Sequence, residues 1–103
     1  MTAGRFDELI HAPTRLSIMA LLAASEWAEF KFIRDRLGLS DSALSKQLAI
    51  LEGAGYIEIH KAFVGKRPRT SARLSKAGRA AFDGHVTALQ SIVSGAATPL
   101  GAR

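Results

Sequence analysis

The chain has 103 residues, 48% of them hydrophobic, and its 14 Lys and Arg outnumber 9 Asp and Glu for a net charge of +5. That length suits one domain able to bury a core, and the basic balance favours an anionic partner, of which nucleic acid is the commonest. The absence of cysteine excludes disulfides and cysteine-ligated metals and fits a reducing compartment.

The first element is a short helix around Phe6, Leu9 and Ile10, with Asp7 and Glu8 in its first turn. Pro13 opens a second helix that runs to about Ser25, with Leu16, Met19, Ala20 and Ala23 at helical spacing. Glu26 to Glu29 reads as a connection. Phe30, Ile33 and Leu37 mark one face of a third helix, and Gly38 stands where a left-handed cap is needed. Ser40 starts a fourth helix, its hydroxyl able to accept from the free N–H groups of the first turn. Leu44, Leu48 and Leu51 recur at i, i+4, i+7 and give that helix one core stripe, leaving Ser42, Ser45, Lys46 and Ala49 largely on the other side. Gly53 and Gly55 offer its stop.

From Tyr56 the period changes to two. Ile57 and Ile59 alternate with Glu58 and His60, a strand with one buried face. Val64 to Pro68 is a turn, and Arg69, Ser71 and Arg73 alternate with Thr70, Ala72 and Leu74 in a return strand. Ser75 caps a last helix ending near Gly95, with Phe82, Val86, Leu89 and Val93 as its apolar stripe and Ile92 alongside; roughly nineteen residues make it ~28 Å long. Residues 1–95 are thus expected to form one domain, and 96–103, containing Gly, Pro and Ala, a frayed tail. No repeat or linker interrupts the chain. The longest strong apolar run, Ile18 to Ala24, is too short to span a bilayer, and Met1 to Phe6 lacks a signal-peptide pattern. A cytoplasmic protein with no membrane partner is expected.

Together these elements predict a mainly α fold with a small β-hairpin (α+β): a winged helix-turn-helix of about five helices and a two- to three-stranded wing. Gly38-Leu39-Ser40 has the length of the turn joining the two helices, and the second helix would enter a major groove about 12 Å wide. Small polar residues allow close approach there, so Ser40, Ser42, Ser45, Lys46 and Gln47 are the candidate contacts. The plainer alternative is that these serines are solvated helix surface. The charge pattern weighs on the other side. From Lys61 to Arg79 there are seven Lys or Arg and no acid, and only Asp83 of the nine acids follows Lys61. A surface selected for solubility alone mixes signs. Lys66, Arg67 and Arg69 around Pro68, extended by Lys61 and Arg73, are therefore read as a wing lying on phosphates or reaching the minor groove, against the alternative of a solvated turn.

The terminal helices carry more apolar surface than a small wing domain covers. Phe6, Leu9, Ile10, Val86, Leu89, Ile92 and Val93 are the expected dimer interface, whereas Phe82 is expected to fold back on its own domain. A two-fold dimer would place two recognition helices about one DNA turn apart. His11, His60 and His85 are far apart in sequence, without metal-ligand spacing. Trp27 reads as a packing plug more than a ligand platform, with the lining of an effector pocket as the alternative. No nucleophile–base–acid set, phosphate-binding glycine loop or carboxylate pair is present, so no enzyme, metal or cofactor is expected.

These residues resemble the small winged-helix bacterial transcriptional regulators of the MarR/ArsR type, and most closely the stand-alone winged-helix DNA-binding domain proteins. The resemblance covers Phe6 to about Val93. It rests on His11-Ala12-Pro13-x-Arg15-Leu16-x-Ile18, on Ser42-x-x-Ser45-Lys46-x-Leu48-x-x-Leu51-Glu52-x-x-Gly55-Tyr56-Ile57, and on Leu74-Ser75-x-x-Gly78. It implies a homodimer built through the terminal helices, a recognition helix led by Ser42, Ser45 and Lys46, and a wing bearing Lys66, Arg67 and Arg69. The ArsR branch often senses metals through cysteines, which this chain lacks. The MarR branch often takes small phenolic or lipophilic effectors between its dimer helices, so an effector of unknown identity is a further possible partner. The leading expectation is a sequence-specific, homodimeric repressor on double-stranded DNA. The alternative is a winged-helix module that binds an acidic protein partner with the same face and no DNA. RNA is the weaker reading, because no aromatic platform lies among the cations.

Overall fold

The computed structural model describes residues 4–97, in the order α1 (Glu8–His11), α2 (Pro13–Ala23), β1 (Ala28–Glu29), α3 (Phe30–Leu37), α4 (Asp41–Gly53), β2 (Ile57–Val64), β3 (Arg67–Leu74) and α5 (Lys76–Ala97). Each boundary has a local chemical cause. The Asp7 carboxylate accepts from the Ile10 N–H and caps α1, and Pro13 occupies the first turn of α2. α3 ends at Gly38, whose φ of 66° is left-handed, and the Leu39 and Gly38 N–H groups close back on the Arg34 and Asp35 carbonyls. Ser40 caps α4 by accepting from the Ala43 N–H at 3.1 Å. At the far end Gly55 takes φ 79°, and the Tyr56 and Gly55 N–H groups return to the Leu51 and Glu52 carbonyls. α4 therefore runs through Gly53, and Gly55 is the residue that stops it.

The sheet is antiparallel with order β1-β3-β2. β2 and β3 form a hairpin whose register pairs Ile57 with Leu74 and Val64 with Arg67, closed by Gly65 at φ 66° and Lys66. The sequence marks Glu26 to Glu29 as a plain connection. Its Ala28 and Glu29 instead pair with Ala72 and Ser71. α2 ends at Ala23, earlier than expected, because the chain must turn out to reach this pairing. α5 continues to Ala97, past the expected end near Gly95. The remainder of the expected tail, residues 98–103, lies outside the described residues.

Every helix but α5, together with the hairpin base, supplies the main core. Ile10, Ile18, Met19, Leu22, Ile33, Leu44 and Leu51 are fully buried and meet Leu48, Ile57, Ala72 and Leu74. Removing seven such side chains from water is the main stabilising term, since each contributes on the order of 1.5–3 kcal/mol. Phe82 packs against this core from α5, as its position in the stripe predicts. Ser75 joins helix to sheet. Its N–H donates to the Tyr56 carbonyl, its hydroxyl donates to the Gly55 carbonyl, and its oxygen accepts from the Gly78 N–H. Gly78 lies so close to Tyr56 that an added Cβ would fall 1.8 Å from the Tyr56 carbonyl oxygen.

A second, polar cluster ties the N-terminal segment to α5. Tyr56 donates to the Asp7 carboxylate, and the Asp7 N–H donates to Nδ1 of His85 at 2.9 Å. His85 is fully buried, with its Nε2 3.4 Å from Nδ1 of His11 and the Phe6 ring 4.8 Å from its own. Since Nδ1 accepts from a backbone N–H, His85 must be the neutral Nε2–H tautomer. Burial, and then the neighbouring His11, push the imidazole below its ordinary value of 6.5. Burial acts to raise Asp7, but the hydrogen bonds from Tyr56 and from the Ile10 and Leu9 N–H groups outweigh it and hold the carboxyl below 3.8. The same bond to Asp7, with burial, raises the Tyr56 hydroxyl.

Candidate nucleic-acid interface

α4 presents its buried stripe of Leu44, Leu48 and Leu51 inward, so the positions between them face water. Ser40, Ser42, Ser45 and Lys46 are all exposed. The Ser40 hydroxyl is occupied as the helix cap and sits 3.3 Å from that of Ser42. Arg34 of α3 bonds both Asp35 and Asp41, which fastens the start of α4 to the preceding helix; those two carboxylates raise the guanidinium above its ordinary value. Gln47 differs from expectation. It is half-buried, and its carbonyl accepts from Arg15 Nη1 at 3.0 Å, while Arg15 Nε also donates to the Leu9 carbonyl. Gln47 therefore serves the join between α2 and α4, and its acceptor is not free for a base edge.

Pleating decides what the wing offers. Ile57, Ile59, Lys61 and Phe63 share the face turned toward α4, opposite Leu74, Ala72, Thr70 and Pro68. Lys61 and Ser45 line one cleft of about 700 Å³ between α4 and β2, floored by Leu48 and Ile59, with Asp41 and Glu52 along its helix side. Ser45 of α4 and Lys61 of the hairpin thus open on a common side. Past this cleft the hairpin tip carries Lys66 and Arg67, both exposed and without an ion pair among the described residues. A second groove, about 510 Å³, brings Lys31 of α3 beside Lys66, Arg67 and Arg69. Nothing local in the sequence marks Lys31, which lies 35 residues before Lys66.

The other sheet face changes two of the expected contacts. Arg73 pairs with Glu58 at 2.8 Å and lies 4.5 Å over the Trp27 ring, on the side away from α4. Its charge is compensated and its guanidinium is stacked, so it belongs to the sheet surface and not to the cleft. Arg69 stands 3.5 Å from Glu29, a loose and half-exposed pair that leaves it available. Trp27 is not a buried plug; it is 42% exposed and stacks on Arg73 with His60 nearby.

The proposed dimer residues divide similarly. Ile10 is fully buried in the chain's own core and has no surface left for a partner. Leu9 packs partly against the same core, and Phe6 leans on His11 and His85. Val86 and Leu89 are half-buried, whereas Ile92 and Val93 are exposed on α5. Among the described residues no cluster of three His, Cys, Asp or Glu could hold a metal, and no helix is long and apolar enough to cross a membrane.

A helix capped and oriented by the helix before it, with a basic hairpin rising beside it, defines a winged helix-turn-helix domain. Residues 14–93 match the family model described as the winged helix DNA-binding domain, and the chain belongs to that family. An uncharacterized protein of Methanocaldococcus jannaschii, MJ0432, is 30% identical over 79 residues, which span 77% of this chain and 86% of that protein. Among solved structures, the transcriptional regulator homologue from Pyrococcus horikoshii superposes with a TM-score of 0.81 at 26% identity, covering 86% of this chain and 88% of that one. The putative transcriptional regulator ytfH from Salmonella typhimurium shares the fold, with a TM-score of 0.71 at 20% identity over 93% and 85% of the two chains. The family model and these superpositions agree on a winged-helix DNA-binding domain fold for the chain.

Proposed function

We propose that this protein is a sequence-specific, homodimeric repressor that binds double-stranded DNA and blocks a promoter. The observation that carries the reading is the cleft that Ser45 of α4 and Lys61 of β2 both line, with Lys66 and Arg67 exposed at the tip of the same hairpin. A duplex laid against it would receive the N-terminal half of α4 in its major groove. Ser42, Ser45 and Lys46 would read base edges, and Lys61, Lys66, Arg67 and Arg69 would hold phosphates. Ile92 and Val93, exposed on α5, support pairing of two copies through their last helices, which would set two copies of α4 on successive turns of a pseudo-palindrome.

The test is a binding titration against salt on a panel of duplexes. Arg67→Ala is expected to weaken every sequence alike and to lower the salt slope by about one unit. Ser45→Ala is expected to change the order of preference instead. Identical effects of both substitutions across the panel would refute the assignment of roles. A chain that retards no duplex at low salt would be read as a protein-binding module.

A further inference from the structure

Phe63 is the most exposed of the large apolar side chains in the described residues, at 73%. It stands at the end of β2, one residue before Val64 and the Gly65–Lys66 turn, and its cross-strand partner is Pro68. Its own domain leaves most of the ring uncovered. It shares its face of the strand with Lys61, so it lies about 6.8 Å further from α4 than the cation lining the cleft. Lys61 precedes it on the same face, and Lys66 and Arg67 follow at the turn, Arg67 opposite Val64 on the other face; none of the three is ion-paired among the described residues. An aromatic ring left mostly in water on a cationic hairpin tip is poorly explained by folding, because the core gains nothing from it. It is well explained by a polyanion that also offers an apolar slot.

We infer that Phe63 is a wedge that enters the DNA minor groove and partly unstacks a base step there. The inference rests on the DNA-binding reading above. With α4 in the major groove, the cleft between Ser45 and Lys61 takes the phosphate strand, and the next surface along β2 faces the minor groove. That groove is about 6 Å wide and presents few distinguishing hydrogen-bond groups. A ring entering it reads deformability, favouring flexible pyrimidine–purine steps over stiff A-tracts. Pro68 opposite stiffens the backing of the ring, and the flanking cations hold the two phosphate walls. Specificity would then have two sources: α4 on base edges, and Phe63 on the step beside them.

The experiment selects duplexes from a random-sequence pool with the full chain and probes the bound sites with permanganate, which oxidises unstacked thymines. The wild type is expected to create a reactive thymine at a flexible step flanking the α4 site. Phe63→Ala should abolish that reactivity, weaken binding about tenfold and lose the preference for the step, while Phe63→Leu retains most of each. Circular dichroism is expected to show both variants folded, since the ring is solvated in the free protein. The wedge is refuted if Phe63→Ala keeps the wild-type reactivity and step preference. It is equally refuted if Phe63→Ala weakens binding while the wild type shows no unstacked base, which would place the ring against sugars outside the stack. These failures leave Arg67→Ala still weakening binding, and so leave the DNA reading intact. A wild-type chain that selects no duplex would overturn both.

Discussion

Tyr56→Phe removes one hydroxyl and isolates the bond that fastens the N-terminal segment to the end of α4. The hydroxyl donates to an ionised carboxylate, Asp7, that the surrounding hydrogen bonds keep charged. Hydrogen bonds to charged groups contribute roughly 1.5–3 kcal/mol, and both partners here are half-buried, so the lower end applies. The expected loss is about 1.5 kcal/mol. For a domain of this size 1 kcal/mol corresponds to roughly 4–8 °C, which gives a fall in Tm of about 9 °C at neutral pH. The assay is a double-mutant cycle with Asp7→Ala, followed by thermal melts and guanidinium titration. In the Asp7→Ala background Tyr56→Phe should cost little, leaving a coupling of about 1 kcal/mol between the two. Equal costs in both backgrounds would show that the hydroxyl matters through something other than Asp7, and the reasoning would be refuted.

Stability should also fall with pH in two stages. His85 has a folded pKa below 6.5, so the unfolded chain takes up its proton first; stability is fully present above 6.5 and declines as the pH drops toward the folded value. Asp7, held below 3.8, adds a second decline as the pH falls below that value toward its folded pKa. His85→Asn keeps an acceptor for the Asp7 N–H and should flatten the first stage only, as melts from pH 7 to 5 would show. Gly78→Ala should destabilise by about 2 kcal/mol or more in chemical denaturation, against the usual helical preference for alanine, because the new methyl meets the Tyr56 carbonyl. Val93→Glu should convert a dimer to a monomer in light scattering without lowering the monomer's Tm, since that side chain is 66% exposed.

Punctuation and period made most of the fold legible. Gly38, Ser40, Gly55 and Gly65 stand where a left-handed angle or a cap is required, and all four are used so. The spacing of Leu44, Leu48 and Leu51 fixed which side of α4 is buried, and hence that Ser42 and Ser45 face out. What escaped was set by partners distant in the chain. β1 has two residues, too few to show a period, and exists because Ala72 and Ser71 receive it. Ile10 has the same apolar character as Ile92, and only the packing of α1 under the domain separates core from surface. Gln47 and Arg73 lie among good candidates but are claimed by Arg15 and by Glu58 with Trp27. The pairing of His11 with His85 spans 74 residues and leaves no mark in local spacing.

The two-residue strand β1 hydrogen-bonds to the root of the hairpin just before the chain enters α3. α3 in turn is bolted to α4 through Arg34 and Asp41. The hairpin's base and the two helices therefore travel as a single jaw, and a tug on one is felt by the others. Only residues 63–68 stand clear of that bracing, so the finger's end keeps its shape through the ladder of its own two strands alone.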